Sequence, residues 1–346
     1  MFLVLRNGTT SVLGSSAISG QQVRASSYWR VRRVPSVTVS GGSGPDWAPE
    51  RVVTEDEAAA LVGERFPQLR GAVARRLATG WDNTVMRVGD DWIFRFPRRQ
   101  IAVPGVTREI AVLPRLAPRL PLPIPVPSLA APEGMETFPW PFWGGRLVPG
   151  RELAESRLGE DEREAAGRGI GAFLRALHDP ALVAEVGADL PYDPLRRGEP
   201  AVRAPMALER LDGLAKAGVW SRDPGVERFL AEAANAAAPG GPGVVSHGDL
   251  HVRHLLVDEA GRASGVIDWG DLCVADPAVD LSLAYAGFSG RARATLLAEY
   301  GSEPSAVAAR TLAIFICSVL AAYAADEGRE RLLAEALAGI RRSVGD

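Results

Sequence analysis

Val245-Ser246-His247-Gly248-Asp249-Leu250-His251-Val252-Arg253-His254-Leu255-Leu256-Val257-Asp258 holds three of the chain's four histidines. Downstream lies a second acidic site, Gly265-Val266-Ile267-Asp268-Trp269. Leu255-Leu256-Val257 and Val266-Ile267 are short apolar runs bounded by polar or glycine residues, the pattern of buried strands. Asp258-Glu259-Ala260-Gly261-Arg262 between them reads as the turn of a hairpin. A hairpin brings its two ends together, so Asp249 and His254 are expected to face one pocket with Asp268.

Two acids and one further ligand in a single pocket suit phosphoryl transfer. One carboxylate, Asp249, would accept or orient the proton of an attacking hydroxyl. The other, Asp268, would hold with His254 the divalent cation that bridges nucleotide phosphates. Imidazole is a poor partner for magnesium, so His254 favours manganese or acts through water. His247 is read as a buttress of the loop. The pattern His247-Gly248-Asp249 followed by Ile267-Asp268-Trp269 resembles the aminoglycoside phosphotransferase family, whose fold is similar to that of protein kinases. The family carries Asn where this chain has His254, and its macrolide kinases are similar in carrying His there. The resemblance implies an α+β, two-lobed, protein-kinase-like fold, with a small antiparallel-sheet N-lobe and a mainly helical C-lobe. It also implies a small-molecule kinase using ATP or GTP with Mg2+ or Mn2+.

Working towards the N-terminus, Thr54-Glu55-Asp56-Glu57 is a capping box opening a helix to about Arg65. Three strand candidates follow, 72–78, 84–88 and 92–96, as an antiparallel meander. The first turn, Thr79-Gly80-Trp81-Asp82-Asn83, contains Gly80 and Asn83 and is the expected phosphate cover, its backbone N–H groups facing anionic oxygens. The family has a similar Gly-Trp-Asp-Asn. On the third strand, alternation sets Arg95 opposite Phe94 and Phe96. The family places a Lys or Arg there on the nucleotide phosphates, and Arg is chemically suited because it stays charged and binds phosphate bidentately. Arg98 and Arg99 are the rivals for that role. Glu109 resembles the helix carboxylate that pairs with the strand cation. Pro114 should kink that helix or stop it early. Pro118–Pro132 should be extended and packed on the small lobe, and 138–143 reads as an aromatic strand. Residues 144–150 read as the hinge, with backbone near Arg146 and Leu147 holding the purine edge.

Beyond the hinge, apolar spacing predicts a helical large lobe over 151–346. Helices are expected at 160–178, 206–214, 225–237, 281–288, 292–300, 306–325 and 329–342. His178 reads as a helix C-terminal residue. Asp276-Pro277-Ala278-Val279-Asp280 is a helix start. In the family a similar second Asp braces the catalytic loop, which assigns Asp280 a supporting role. Phe315, Val319 and Tyr323 would supply an apolar wall for an acceptor, or serve core packing.

Composition sets the remaining bounds. At 346 residues and 47% apolar, the chain has ample core for two lobes, here 51–143 and 151–346. Its net charge of −3 gives no reason to expect nucleic-acid binding, and the apolar run at 311–325 reads as a buried helix and not a membrane span. Two cysteines are too few for a disulfide framework and point to a reducing, cytoplasmic compartment. The only lysine is Lys216. Residues 1–50 are expected to be a disordered extension: 1–45 contain no acid, but Arg6, Arg24, Arg30, Arg32 and Arg33. The expected partner is a small molecule bearing a hydroxyl, either an aminoglycoside, a macrolide or a small metabolite such as an amino alcohol or sugar. Two competing readings stand beside the kinase. One is a nucleotide-binding regulator without turnover. The other is a zinc site from His247, His251, His254 and Asp249, disfavoured because His-Glu-x-x-His is absent.

Overall fold

The computed structural model describes residues 49–80, 82–302 and 305–345. The extension read at 1–50 lies almost wholly outside the described residues, as does Trp81. Helix α1 (Glu55–Arg65) starts at the anticipated capping box: Thr54 Oγ1 accepts from Glu57 N at 3.2 Å, and Glu57 Oε2 accepts from Thr54 N at 2.8 Å. It is followed by β1 (Ala74–Thr79), β2 (Asn83–Val88), β3 (Trp92–Pro97), α2 (Val103–Leu116), β4 (Leu129–Ala131) and β5 (Phe142–Arg146). The five strands form one antiparallel sheet in the order β1-β2-β3-β5-β4. Its inner face is aromatic: Phe94 and Phe96 alternate inward from β3 and pack with Phe66, Phe138 and Phe142.

Helix α2 runs through Pro114 and ends soon after it, at Leu116. A proline this close to a helix end removes one hydrogen bond, which the surrounding core can absorb. The strand read at 138–143 lies instead at Phe142–Arg146. Pro139 and Pro141 have no N–H to give a ladder, so Phe138 enters the core from a bend. Gly144 and Gly145 therefore belong to a strand and not to the hinge. A Cβ on Gly144 would lie 2.4 Å from Phe94 Cζ, so glycine here makes room for an aromatic ring. The Pro-rich segment also reaches further than expected: Val266 N donates to Pro123 O at 3.0 Å, tying it to the large lobe.

The C-lobe opens with β6 (Arg151–Glu152) and continues through α3 (Glu164–Leu177), α4 (Pro180–Val186), α5 (Pro200–Lys216) and α6 (Pro224–Ala233). Four short strands follow, β7 (Val244–Ser246), β8 (Leu255–Val257), β9 (Ala263–Val266) and β10 (Cys273–Ala275). Helices α7 (Ala278–Gly287), α8 (Gly290–Tyr300), α9 (Ala306–Asp326) and α10 (Glu330–Val344) complete it. The anticipated hairpin is β8–β9, with Leu255 opposite Val266 and Leu256 opposite Gly265, joined by the 258–262 turn. Strand β7 pairs with β10. Helix α9 is long and apolar enough to span a bilayer, but it packs against α5, α7 and α10 and is largely buried, as the core helix of the lobe.

Candidate active site

The His247–His254 loop hangs between β7 and β8 and is held from beneath by α7. Asp280 is fully buried. Its carboxylate accepts from His247 N at 2.7 Å and Gly248 N at 3.0 Å, and contacts His178 Nε2 at 3.2 Å. Burial works to raise the Asp280 pKa, but His178, His247 and the backbone donors together hold it below the usual carboxylate range. His178 is thus more than a helix end: its Nδ1 meets Tyr300 Oη at 3.0 Å, and it links α3, α7 and α8 behind the loop. Gly248 has φ +85°, and a Cβ there would lie 2.2 Å from Asp271 O. No other residue fits that turn.

Hydrogen bonding fixes the histidine roles. His247 is buried; its Nε2 meets Ile267 O at 3.0 Å and its Nδ1 accepts from Asp249 N at 3.2 Å. A carbonyl only accepts, so Nε2 carries the proton and both ring nitrogens are used within the loop. Burial and the neighbouring His254 lower its pKa. His254 is turned the other way, with a partner on each ring nitrogen. Its Nδ1 donates to Asp249 O at 2.8 Å, which turns Nε2 towards Asp268 Oδ2 at 3.3 Å. Burial opposes protonation of His254, yet the hydrogen bond and charge of Asp268 raise its pKa overall. His251 stacks on His254 with ring centroids 3.8 Å apart. Its Nδ1 accepts from Arg253 N at 3.3 Å, so the proton sits on Nε2, 3.8 Å from Asp249 Oδ2.

Asp249, His251 and His254 bring donor atoms within 4.8 Å of one another. The set still fails as a zinc site, because the free lone pair of His251 is aimed at the Arg253 backbone and not into the cluster. His247, needed for the zinc reading, has no nitrogen to spare.

Across the cleft, Arg95 projects from β3 on the face opposite Phe94 and Phe96. Its Nη1 lies 3.3 Å from Glu109 Oε1 and its Nη2 2.7 Å from Asp268 Oδ1. With its oxygen towards Arg95, the Asn83 amide accepts from Nη2 at 3.0 Å and Nε at 3.3 Å. Burial acts to lower the Arg95 pKa, but Glu109 and Asp268 raise it. Glu109 is buried on α2, where its Oε2 accepts from Trp143 Nε1 at 3.0 Å. Arg98 and Arg99 are occupied elsewhere: Arg98 Nη1 donates to Gly80 O at 2.6 Å and Arg99 Nη2 pairs with Asp82 at 2.6 Å. Both brace the 79–83 turn, in which Gly80 N donates to Asn83 O at 2.9 Å. Asp268 takes φ +67°, a left-handed conformation uncommon outside glycine, and its side chain is 47% exposed. Partial burial works against its ionisation, but Arg95 and His254 hold its pKa well below the ordinary carboxylate value.

Four further residues named from the sequence are placed as follows. The Arg146 side chain is exposed, pairs with Asp91 at 3.0 Å and stacks on Trp92 at 4.3 Å. Leu147 N donates to Asp91 O at 2.9 Å, so that N–H is already committed within the sheet. Phe315 and Val319 are buried, with the guanidinium groups of Arg203 and Arg210 over Phe315 at 4.9 and 5.4 Å. They belong to packing and not to an open wall. Sequence reasoning also passed over Arg197, whose Nη2 lies 3.4 Å from Asp249 Oδ1 and 3.2 Å from Asp271 Oδ2.

A sheet-and-helix N-lobe whose strand cation pairs with a helix carboxylate, over a loop carrying His-Gly-Asp, defines a kinase-like phosphotransferase. The chain belongs to the phosphotransferase enzyme family, whose profile matches residues 73–312. It is a small-molecule kinase that takes a nucleotide co-substrate. It is similar to the uncharacterized protein YcbJ of Bacillus subtilis (strain 168), with 28% identity over 240 residues, 64% of this chain and 72% of that one. It is 32% identical to the viomycin phosphotransferase of Streptomyces vinaceus over 204 residues, 56% of this chain and 67% of the relative. In fold it is similar to the GDP complex of aminoglycoside 2'-phosphotransferase-IIIa, with TM-score 0.58 at 18% identity, covering 84% and 98% of the two chains. Macrolide 2'-phosphotransferase type I gives 0.53 at 24% identity, with the same coverage.

Proposed function

We propose that the protein transfers the γ-phosphoryl group of ATP or GTP to a hydroxyl of a small antibiotic. The observation that carries this reading is the convergence of Asp249, His254, Asp268 and Arg95 in one hydrogen-bonded set spanning both lobes. Asp249 would orient the attacking hydroxyl and take up its proton. Arg95, held by Glu109 and Asn83, would face the phosphate oxygens as a permanent cation, with Gly80 and its turn above them. His247 and Asp280 keep the loop in shape and do not touch the reacting atoms.

His254 and Asp268 fit a divalent cation. With Nδ1–H given to Asp249 O, His254 would offer a cation Nε2 once it gives up the proton it shares with Asp268, and two neighbouring ligands of an octahedral ion sit about 3 Å apart, close to the 3.3 Å found between them. A bound ion would neutralise charge on the phosphates. One imidazole in the ligand pair favours manganese more than an all-oxygen pair does. The purine edge would draw on hinge groups other than the committed Leu147 N–H. Viomycin phosphotransferase at 32% identity supports an antibiotic acceptor. The buried, unpaired thiols of Cys273 and Cys317 support a reducing, cytoplasmic setting.

The test is nucleoside-diphosphate release with Mg2+ or Mn2+, ATP or GTP, and a panel of viomycin, macrolides, aminoglycosides and small amino alcohols. Acceptor-dependent release should appear in the native protein and vanish in Asp249→Asn, with nucleotide binding retained. Release that survives in Asp249→Asn would refute the role of Asp249. Nucleotide binding with no release for any acceptor would favour a regulator.

A further inference from the structure

Arg197 lies outside every motif, yet it is the cation that touches Asp249. It is buried, and its Nη2 is shared between Asp249 Oδ1 at 3.4 Å and Asp271 Oδ2 at 3.2 Å. The loop that carries it is built with unusual care. Asp193 accepts from Arg197 N and Gly198 N, each at 2.8 Å. Asp193 and Arg196 both take positive φ, 22° and 53°, a conformation that costs free energy for side chains of this kind. The loop is then registered on β10. Asp193 N donates to Val274 O at 2.8 Å, Val274 N donates to Pro191 O at 2.9 Å, and Tyr192 bridges Val274 in parallel. Because β10 pairs with β7, and β7 runs directly into His247-Gly248-Asp249, one small sheet sets the position of both Arg197 and Asp249.

We propose that Arg197 is the positioning residue that holds the Asp249 carboxylate in its hydroxyl-orienting pose and separates it from Asp271. This rests on the phosphotransferase reading above. Without Arg197, the Asp249 and Asp271 carboxylates would lose the guanidinium they share, and repulsion between them would turn Asp249 away from Asp271 and from the attacking oxygen. A displacement of that kind, near 1 Å, costs about 100-fold in rate. Nucleotide affinity should be spared, because among the described residues no hydrogen bond or ion pair joins Arg197 to Arg95, Glu109 or the 79–83 turn.

The test compares the native protein with Arg197→Gln, Arg197→Lys and Asp249→Asn. The expected result is a kcat lower by about 100-fold in Arg197→Gln, with nucleotide KM near native and the melting temperature lowered, because a buried ion pair is broken. Arg197→Lys should recover at least about a tenth of the native kcat, since the charge is restored and only the fork geometry is lost. Native turnover with kcat unchanged in Arg197→Gln would overturn the inference and leave the kinase reading standing. So would a loss confined to KM, or no difference between Gln and Lys. If Arg197→Gln does not fold, the Arg197→Lys split of kcat against KM decides alone. Absence of turnover in the native protein would be a failure of the kinase reading. The pair is then judged by NMR of the guanidinium protons: a restrained Arg197 signal lost in Asp249→Asn supports it, and an unchanged signal overturns it.

Discussion

Replacing Asp280 with Ala is the sharpest stability test of the site. It removes the acceptor for two buried backbone donors, His247 N at 2.7 Å and Gly248 N at 3.0 Å, and one contact to His178 at 3.2 Å. A buried donor left without a partner costs about 1–3 kcal/mol. Two such donors plus the His178 contact give roughly 4 kcal/mol. For a folded unit of about 300 residues, an unfolding entropy near 2.1 cal/mol/K per residue amounts to about 0.6 kcal/mol/K. The expected fall in Tm is therefore about 6 °C, read by circular dichroism. Asp280→Asn should lose about half as much, since its amide oxygen still serves one donor. The carboxyl of Asp280 lies below its ordinary value, so its stabilisation is present above about pH 4 and is lost as the pH falls through the folded value. The gap between native and Asp280→Ala should narrow on acidification. A Tm within about 1 °C of native at neutral pH would refute the argument that Asp280 holds the loop.

Two further substitutions test other parts of the chain. Gly144→Ala puts a methyl group 2.4 Å from the Phe94 ring and should cost about 1–3 kcal/mol by chemical denaturation, with any residual activity unchanged in its metal preference. His254→Asn replaces an imidazole by an oxygen ligand, so the ratio of kcat with Mg2+ to kcat with Mn2+ should rise several-fold.

What could be read from the sequence was chemistry held in short segments. His247 to His254 and Asp268 share one hairpin, and Arg95 follows from strand alternation, so local pattern was enough to place them on one cleft. The capping box at Thr54 was legible for the same reason. What escaped was set by contacts between distant segments. Arg197 reaches Asp249 across 52 positions through a loop whose only local sign is Asp193-Pro194. His178 has the spacing of a helix end, and only the fold brings Asp280 and Tyr300 to its two nitrogens. Gly144-Gly145 looks like a flexible hinge until Phe94 is seen occupying the missing side chain's space. Pro114 looks like a stop, but the packing of α2 outweighs its lost hydrogen bond.

Asp268 divides its two oxygens between Arg95 of the small lobe and His254 of the catalytic loop. Each site therefore begins with its charge partly satisfied by the other. In the proposed mechanism, an incoming triphosphate that drew Arg95 away would release Asp268 for a cation, and a cation that engaged Asp268 would release Arg95 for the triphosphate. The coupling free energy would be the same in either order, so each ligand would strengthen the affinity of the other by one common factor. Nucleotide and metal would then be welcomed as a pair, and either one alone would meet a competitor already inside the protein.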